Sequence, residues 1–256
     1  MSQFQKHRLT NPAAGSTNHY NSFSEIFKSR CCRISLTGAK KLVKGKINFA
    51  ESTDRSIFVP GMTKAEKTRQ FIIEQAAPLF NTKGVAGTSM SDIMEATQMA
   101  KGGLYGHFET KEELSYAVVD YNMKMVGMKL MSAINKETTA KGKLQACLHF
   151  FSNPLRPPVE GGCPLLNFGM EADDTSQVIR KKIKNGIDEM QETFQKIIEQ
   201  GIADGEFKHT SNAKEMAIKM FAMIEGATMV CRVAGHNTQM KIILDILQKD
   251  LNAMSR

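Results

Sequence analysis

The residues best placed to do chemistry form one run, Lys101-Gly102-Gly103-Leu104-Tyr105-Gly106-His107-Phe108, followed at once by Lys111-Glu112-Glu113-Leu114. It joins a cation, two hydrogen-bonding aromatics and a second cation to a pair of glycines, all inside a helical period. Glycine weakens a helix by about 1 kcal/mol relative to alanine, so a demand other than helical stability must favour it here. Close approach to a large partner is such a demand. Gly102 and Gly103 leave room for a short helix to enter a DNA groove. The bland alternative for Tyr105 and His107 is a half-buried aromatic and a solvated histidine. Lys111-Glu112-Glu113 alone reads only as a charged helix start.

A covalent chemistry would need a nucleophile, a base and an orienting group. Cys163 with His149 or His209 is the visible set, and nothing in the sequence fixes their geometry. Cys163 precedes Pro164, a residue suited to the first turn of a helix, where the positive helix end could lower a thiol pKa. That would make a redox or electrophile sensor; the alternative is a small residue packed at the start of a helix. No phosphate-cradling glycine loop, H-E-x-x-H or dinucleotide fingerprint appears, so no cofactor is expected, and the scattered cysteines predict no metal site.

From Thr63 onward the apolar period is helical almost throughout, which predicts an all-α fold. Phe71, Ile72, Ala76, Leu79 and Phe80 form the stripe of a first helix, ended by Asn81-Thr82-Lys83-Gly84 with a residue able to take positive φ. Thr88-Ser89 caps a short second helix that buries Ile93 and Ala96. A third runs from about Lys101 to Phe108, and a longer one starts near Lys111. Helices at about 141–152, 164–171, 175–204, 212–234 and 238–254 follow, interrupted by the proline-bearing stretch 153–164.

The 256 residues are 41% hydrophobic and 23% charged, the composition of a globular protein with a real core, and the seventeen methionines suit adaptable helical packing. The formal charge is +8, from 34 basic and 26 acidic side chains. Ten of those basic and three of those acidic residues fall in positions 1–61, which leaves 24 against 23 in positions 62–256. Bulk charge therefore says little about the folded part. Residues 1–61 are expected to be a disordered, dispensable extension. A DNA-touching basic arm, a targeting peptide and a segment foreign to the natural protein compete for it. The last is preferred, because Met62 opens a well-formed domain. The most apolar stretch, 216–233, contains Lys219, Glu225 and Arg232 and does not read as a membrane span. With five scattered cysteines this predicts a reducing, cytoplasmic location.

The segment Thr88 to Leu114 has the arithmetic of a helix-turn-helix, and residues 62 to about 114 resemble the DNA-binding domain of TetR family repressors. The resemblance rests on the run 100–108 followed by 111–114. It implies domains at 62–111 for DNA and 112–256 for effector binding and dimerisation. It places Leu104 and Phe108 in the small core, puts Lys101, Gly102 and Gly103 on the DNA face, and turns Tyr105, His107 and Lys111 toward phosphates. Ser91, on the outer side of the second helix, is a further contact. Two departures stand out: Gln98 where the family's turn usually has glycine, and Ala100 where a capping Ser or Thr is common. A second segment, Glu160-Gly161-Gly162-Cys163-Pro164-Leu165-Leu166-Asn167, resembles one found in a subgroup of TetR regulators.

The resemblance further implies a homodimer on palindromic operator DNA, released by a small-molecule effector. Met123, Met125, Met128, Phe150, Phe151, Leu166 and Met170 are the candidate lining of its pocket, suited to an apolar or aromatic ligand; plain core is the competing reading. On the C-terminal helices, Ile179, Ile183, Ile187, Met190, Phe194 and Ile197, then Met216, Met220, Ile224, Ala227 and Thr228, form inward stripes. Val178, Ile198, Phe221 and Val230 lie off those stripes and predict a second, dimer-forming face.

Overall fold

In a computed structural model of the chain, residues 62–256 are described; the expectation for residues 1–61 lies outside them. Nine α-helices account for the described residues: α1 (Lys64–Gly87), α2 (Met90–Thr97), α3 (Lys101–Tyr105), α4 (Lys111–Ile134), α5 (Ala140–Phe150), α6 (Pro164–Ala172), α7 (Gln177–Ala203), α8 (Ala213–Ala234) and α9 (Thr238–Met254). Among the described residues no strand forms, and an isolated antiparallel bridge pairs Phe207 with Ser255. None of these helices is long and apolar enough to cross a membrane.

Local chemistry sets most helix starts. Thr63 and Glu66 form a reciprocal capping box at α1, and Ser89 with Asp92 forms another at α2. Thr110, Thr139, Ser176 and Asn212 each accept a backbone N–H at the starts of α4, α5, α7 and α8. Helix α1 breaks at Gly84, whose φ of 77° is the left-handed value the sequence predicted there. Helix α3 stops at Tyr105, earlier than expected, because the N–H groups of His107 and Phe108 both fold back onto the Leu104 carbonyl.

The core has two main parts. In the first, Ile72, Ala76 and Phe80 of α1 pack with Ile93, Leu104, Phe108, Leu114 and Val118, and continue into Leu165, Phe168, Ile179 and Ile183. Hydrophobic burial on this scale stabilises by roughly 1.5–3 kcal/mol per large side chain. The core therefore does not part between residues 111 and 112, since α4 begins beside the first helices and runs on into the second half. In the other part, Leu130, Leu144, Phe194, Ile198, Phe207 and Met220 pack with Leu247 and Leu251 of α9.

The inward stripes of α7 and α8 are as predicted, and the outward face is so in part: Val178 and Val230 are exposed, Ile198 and Phe221 are not. Ile198 is fully buried, and Phe221 packs against both parts of the core. Ile198 is covered because α7 is enclosed by α5 and α8 on sides the period could not distinguish, and Phe221 of α8 is covered where the two parts of the core meet. Besides Val230, α8 exposes Ile218, Met229 and Val233, and α9 exposes Ile242 and Ile246. Val178 is an exposed apolar residue of α7.

Candidate nucleic-acid interface

Helices α1 to α3 present α3 outward on a small rigid base. Leu104 and Phe108 are buried beneath it, as the resemblance implied, and Ile93 anchors α2 from the other side. The Arg69 guanidinium lies 3.8 Å from the centre of the Phe108 ring, donates to the His107 carbonyl, and pairs with Glu113 Oε1 at 2.7 Å. Partial burial pushes the Glu113 carboxyl up, but the Arg69 hydrogen bond and the Glu109 N–H outweigh it and hold the group below its usual value. Arg69 thus fastens the end of α3 to the start of α4, a partnership across 44 positions that the sequence did not reveal.

The turn between α2 and α3 bears out both departures from the family pattern. Gln98 adopts φ 54° and ψ 30°, the one non-glycine residue with positive φ among the described residues. Its side-chain Nε2 donates to Glu95 O at 2.6 Å, so the left-handed conformation is kept by a local hydrogen bond rather than by glycine. Ala100 caps α3 without a side-chain bond. Across the first turn, Lys83 pairs with Asp92 at 2.6 Å. That ammonium, with the Ser89 hydroxyl and N–H, holds the Asp92 carboxyl well below the usual carboxylate range.

On the outer surface, Ser91, Lys101, Gly102, Gly103 and Tyr105 are all exposed, and His107 is half-buried. The Lys101 ammonium sits 5.8 Å from the centre of the Tyr105 ring. Tyr105 and His107 share an open concavity of about 520 Å³ with Glu109, Thr110 and Glu113. A Cβ on Gly103 would lie 3.1 Å from Met99 Cε, whereas one on Gly102 would meet nothing within 4 Å. Gly102 is helical and not left-handed, so neither backbone conformation nor packing among the described residues calls for glycine there. Lys111 is placed differently from the other candidates: its half-buried ammonium donates to Val85 O at 2.9 Å and Thr88 O at 3.1 Å, clamping the α1–α2 joint.

The candidate effector lining divides. Met123 packs in the first part of the core, where its Cε occupies the space a Cβ on Gly186 would need. Phe150 and Phe151, edge to face at 4.9 Å, pack against the second. Met125 and Leu166 are half-buried. Met128 and Met170 are corrected to the surface, 42% and 69% exposed, because they fall on the outward sides of α4 and α6. At Cys163 the structure supports the packed reading. Burial pushes its thiol well above the ordinary value, and the adjacent Glu225 carboxyl adds to this, outweighing the N–H groups at the start of α6. Its S–H lies 3.1 Å from Glu225 Oε1, while His149 and His209 are exposed. A thiol packed against a carboxyl group, with its own pKa raised, is the opposite of an activated nucleophile.

A short exposed helix with small residues at its front, standing on a three-helix base beside a helical domain, defines a helix-turn-helix DNA-binding regulator of transcription. The tetR-family model of bacterial regulatory proteins matches residues 72–118, and the model for tetracyclin repressor-like C-terminal domains matches residues 140–247. The chain belongs to the TetR family. A TetR transcriptional regulator from Chloroflexus aurantiacus is 37% identical, with 76% of this chain and 99% of that one covered, at a TM-score of 0.72. One from Cytophaga hutchinsonii is 36% identical, covering 76% and 98%, at 0.70. The HTH-type transcriptional repressor DhaR of Mycobacterium sp. (strain GP1) is 24% identical over 165 residues, 64% of this chain and 82% of that protein.

Proposed function

We propose that the protein is a cytoplasmic repressor that binds an approximately palindromic operator as a homodimer and releases it when a small apolar or aromatic effector enters its helical half. The observation that carries this reading is Gly102: a helical glycine that nothing among the described residues requires, at the front of an exposed helix, is kept small for a partner outside it. B-form major grooves are about 12 Å wide and admit such a helix. In this reading Lys101 and Ser91 approach base edges, Gly102 and Gly103 allow contact, and Tyr105 and His107 bind phosphates. Lys111 reaches a phosphate only with what remains after its two carbonyl partners.

Dimerisation is supported by the apolar face that α8 and α9 leave uncovered, with Val233 86% exposed and Ile242 55%. Two-fold pairing through such helices sets the recognition helices about one DNA turn apart or somewhat more. For the effector, Met123, Met125 and Leu166 are the retained candidate wall, since methionine repacks readily around an apolar guest. The segment 160–167 is the trait by which we place the chain in a TetR subgroup.

Binding assays across operator variants test the interface. Tyr105→Phe is expected to weaken binding to every duplex alike, whereas Lys101→Ala also changes sequence preference, by about 1–3 kcal/mol at one base pair. Unchanged affinity in both would remove this surface from the interface.

A further inference from the structure

The segment 160–171 is held between α1 and α8, and the helix-turn-helix reading alone gives it no task. Beyond the apolar packing of Leu165 and Phe168, its hydrogen bonds to α1 all fall at one place, the break at Gly84. A helix that stops leaves its last carbonyls and the next amides without partners. Here the break separates the Asn81 carbonyl from the Val85 N–H, which an unbroken helix would join. Both are taken up by side chains of α6. Asn167 Nδ2 donates to Asn81 O at 2.8 Å, and Glu171 accepts the Val85 N–H at 2.8 Å and the Ala86 N–H at 2.7 Å. Asn167 and Glu171 are four residues apart and so share one face of α6. In return, the buried Asn81 amide donates to Glu160 O at 2.5 Å and Gly162 O at 3.1 Å.

The two glycines make this approach possible. A Cβ on Gly161, at φ +91°, would lie 2.7 Å from the Asn81 carbonyl, and one on Gly162, at φ +110°, 2.8 Å from Arg232 Cζ. On the α8 side, Arg232 donates to Gly161 O at 2.7 Å and to Pro154 O at 3.3 Å, and Cys163 meets Glu225. The joint is also gripped from α4, through Lys111 on Val85 O and Thr88 O. Helices α2 and α3 follow directly from this joint, so its direction sets theirs.

We propose that Asn167 and Glu171 are positioning residues for operator recognition: by completing the broken end of α1 they fix the angle at which α3 is presented, and they tie that angle to α6 and α8. This rests on the DNA-binding reading above. It makes the glycine-rich segment a mechanical strap rather than a thiol site. A shift of α6 or α8 is then carried to α3 through these bonds.

The test uses the full-length protein with Glu171→Ala, Glu171→Gln and Asn167→Ala. Each is titrated against its selected operator, against the same half-sites moved apart or together by one and two base pairs, and against an unrelated duplex. Positioning predicts that Glu171→Ala and Asn167→Ala lose operator affinity by at least about fivefold, the lower end of a coupling effect. Affinity for the unrelated duplex stays within about twofold, and the preference among spacings flattens. Glu171→Gln, which keeps one acceptor for two N–H groups, falls between. If Glu171→Ala does not fold, Glu171→Gln decides by the same criterion. Equal losses on every duplex, or no change in spacing preference, overturn the proposal. A wild-type protein that selects no operator fails the DNA-binding reading itself, and the proposal falls with it.

Discussion

At the scale of single residues, exposure was legible where a short helix fixes the face. Gly102, Gly103, Lys101 and Tyr105 are exposed where the sequence placed them, because a five-residue helix leaves little choice of face. Gln98 was legible as a departure, and its left-handed conformation with a side-chain bond shows how the turn survives without glycine. Partners across long sequence distances were not legible. Lys111 reads as a phosphate ligand until Val85 and Thr88 are found beneath it, and Asn81 reads as a helix stop until Glu160 and Gly162 are found beside it. A conflict between stability and function follows at Gly102. Since space is open there, Gly102→Ala is expected to stabilise α3 by up to about 1 kcal/mol, raising the melting temperature by about 2–4 °C, while weakening operator binding. Calorimetry and a gel shift on the same preparation check this. A variant that binds as well as wild type would remove the reason given for this glycine.

Among the elements, the helices were legible and their environments only partly so. Periodicity gives the face a helix buries but not how many neighbours cover it, which is why Ile198 and Phe221 were mistaken for surface. The same limit hid the buried carboxyl on α8. Burial raises the Glu225 pKa above 4.5, and the bond from Cys163 only partly offsets this. The folded chain therefore holds a proton that the unfolded chain releases. Stability falls as pH rises from about 4.5 through the raised value, the reverse of a salt-bridged acid. Glu225→Gln removes that dependence: its melting temperature should exceed that of wild type at pH 8, with the gap closing toward pH 4. A gap that widens on acidification would mean the carboxyl is ionised and stabilising in the fold.

Over the whole molecule, the two-part architecture was legible, but the continuity of its core was not, because the packing of α6 against α1 depends on contacts some eighty residues apart. The position of the dimer face follows from what the helices leave open. Val233→Glu and Ile242→Glu should give folded monomers by light scattering, with operator affinity lost and melting little changed apart from the loss of association. Phe221→Glu, by contrast, places a charge between the two parts of the core and should lower the melting temperature by about 10 °C or more. Dimers that persist in both surface variants would put the interface elsewhere.

The most direct test of the account is selection of binding sites from a random duplex library by the full-length protein, with the stoichiometry of the selected complex read by native mass spectrometry. The account predicts one enriched inverted repeat, its half-site centres about one helical turn apart or somewhat more, occupied by an even number of chains. Enrichment of no sequence, or of a single half-site held by one chain, would contradict it.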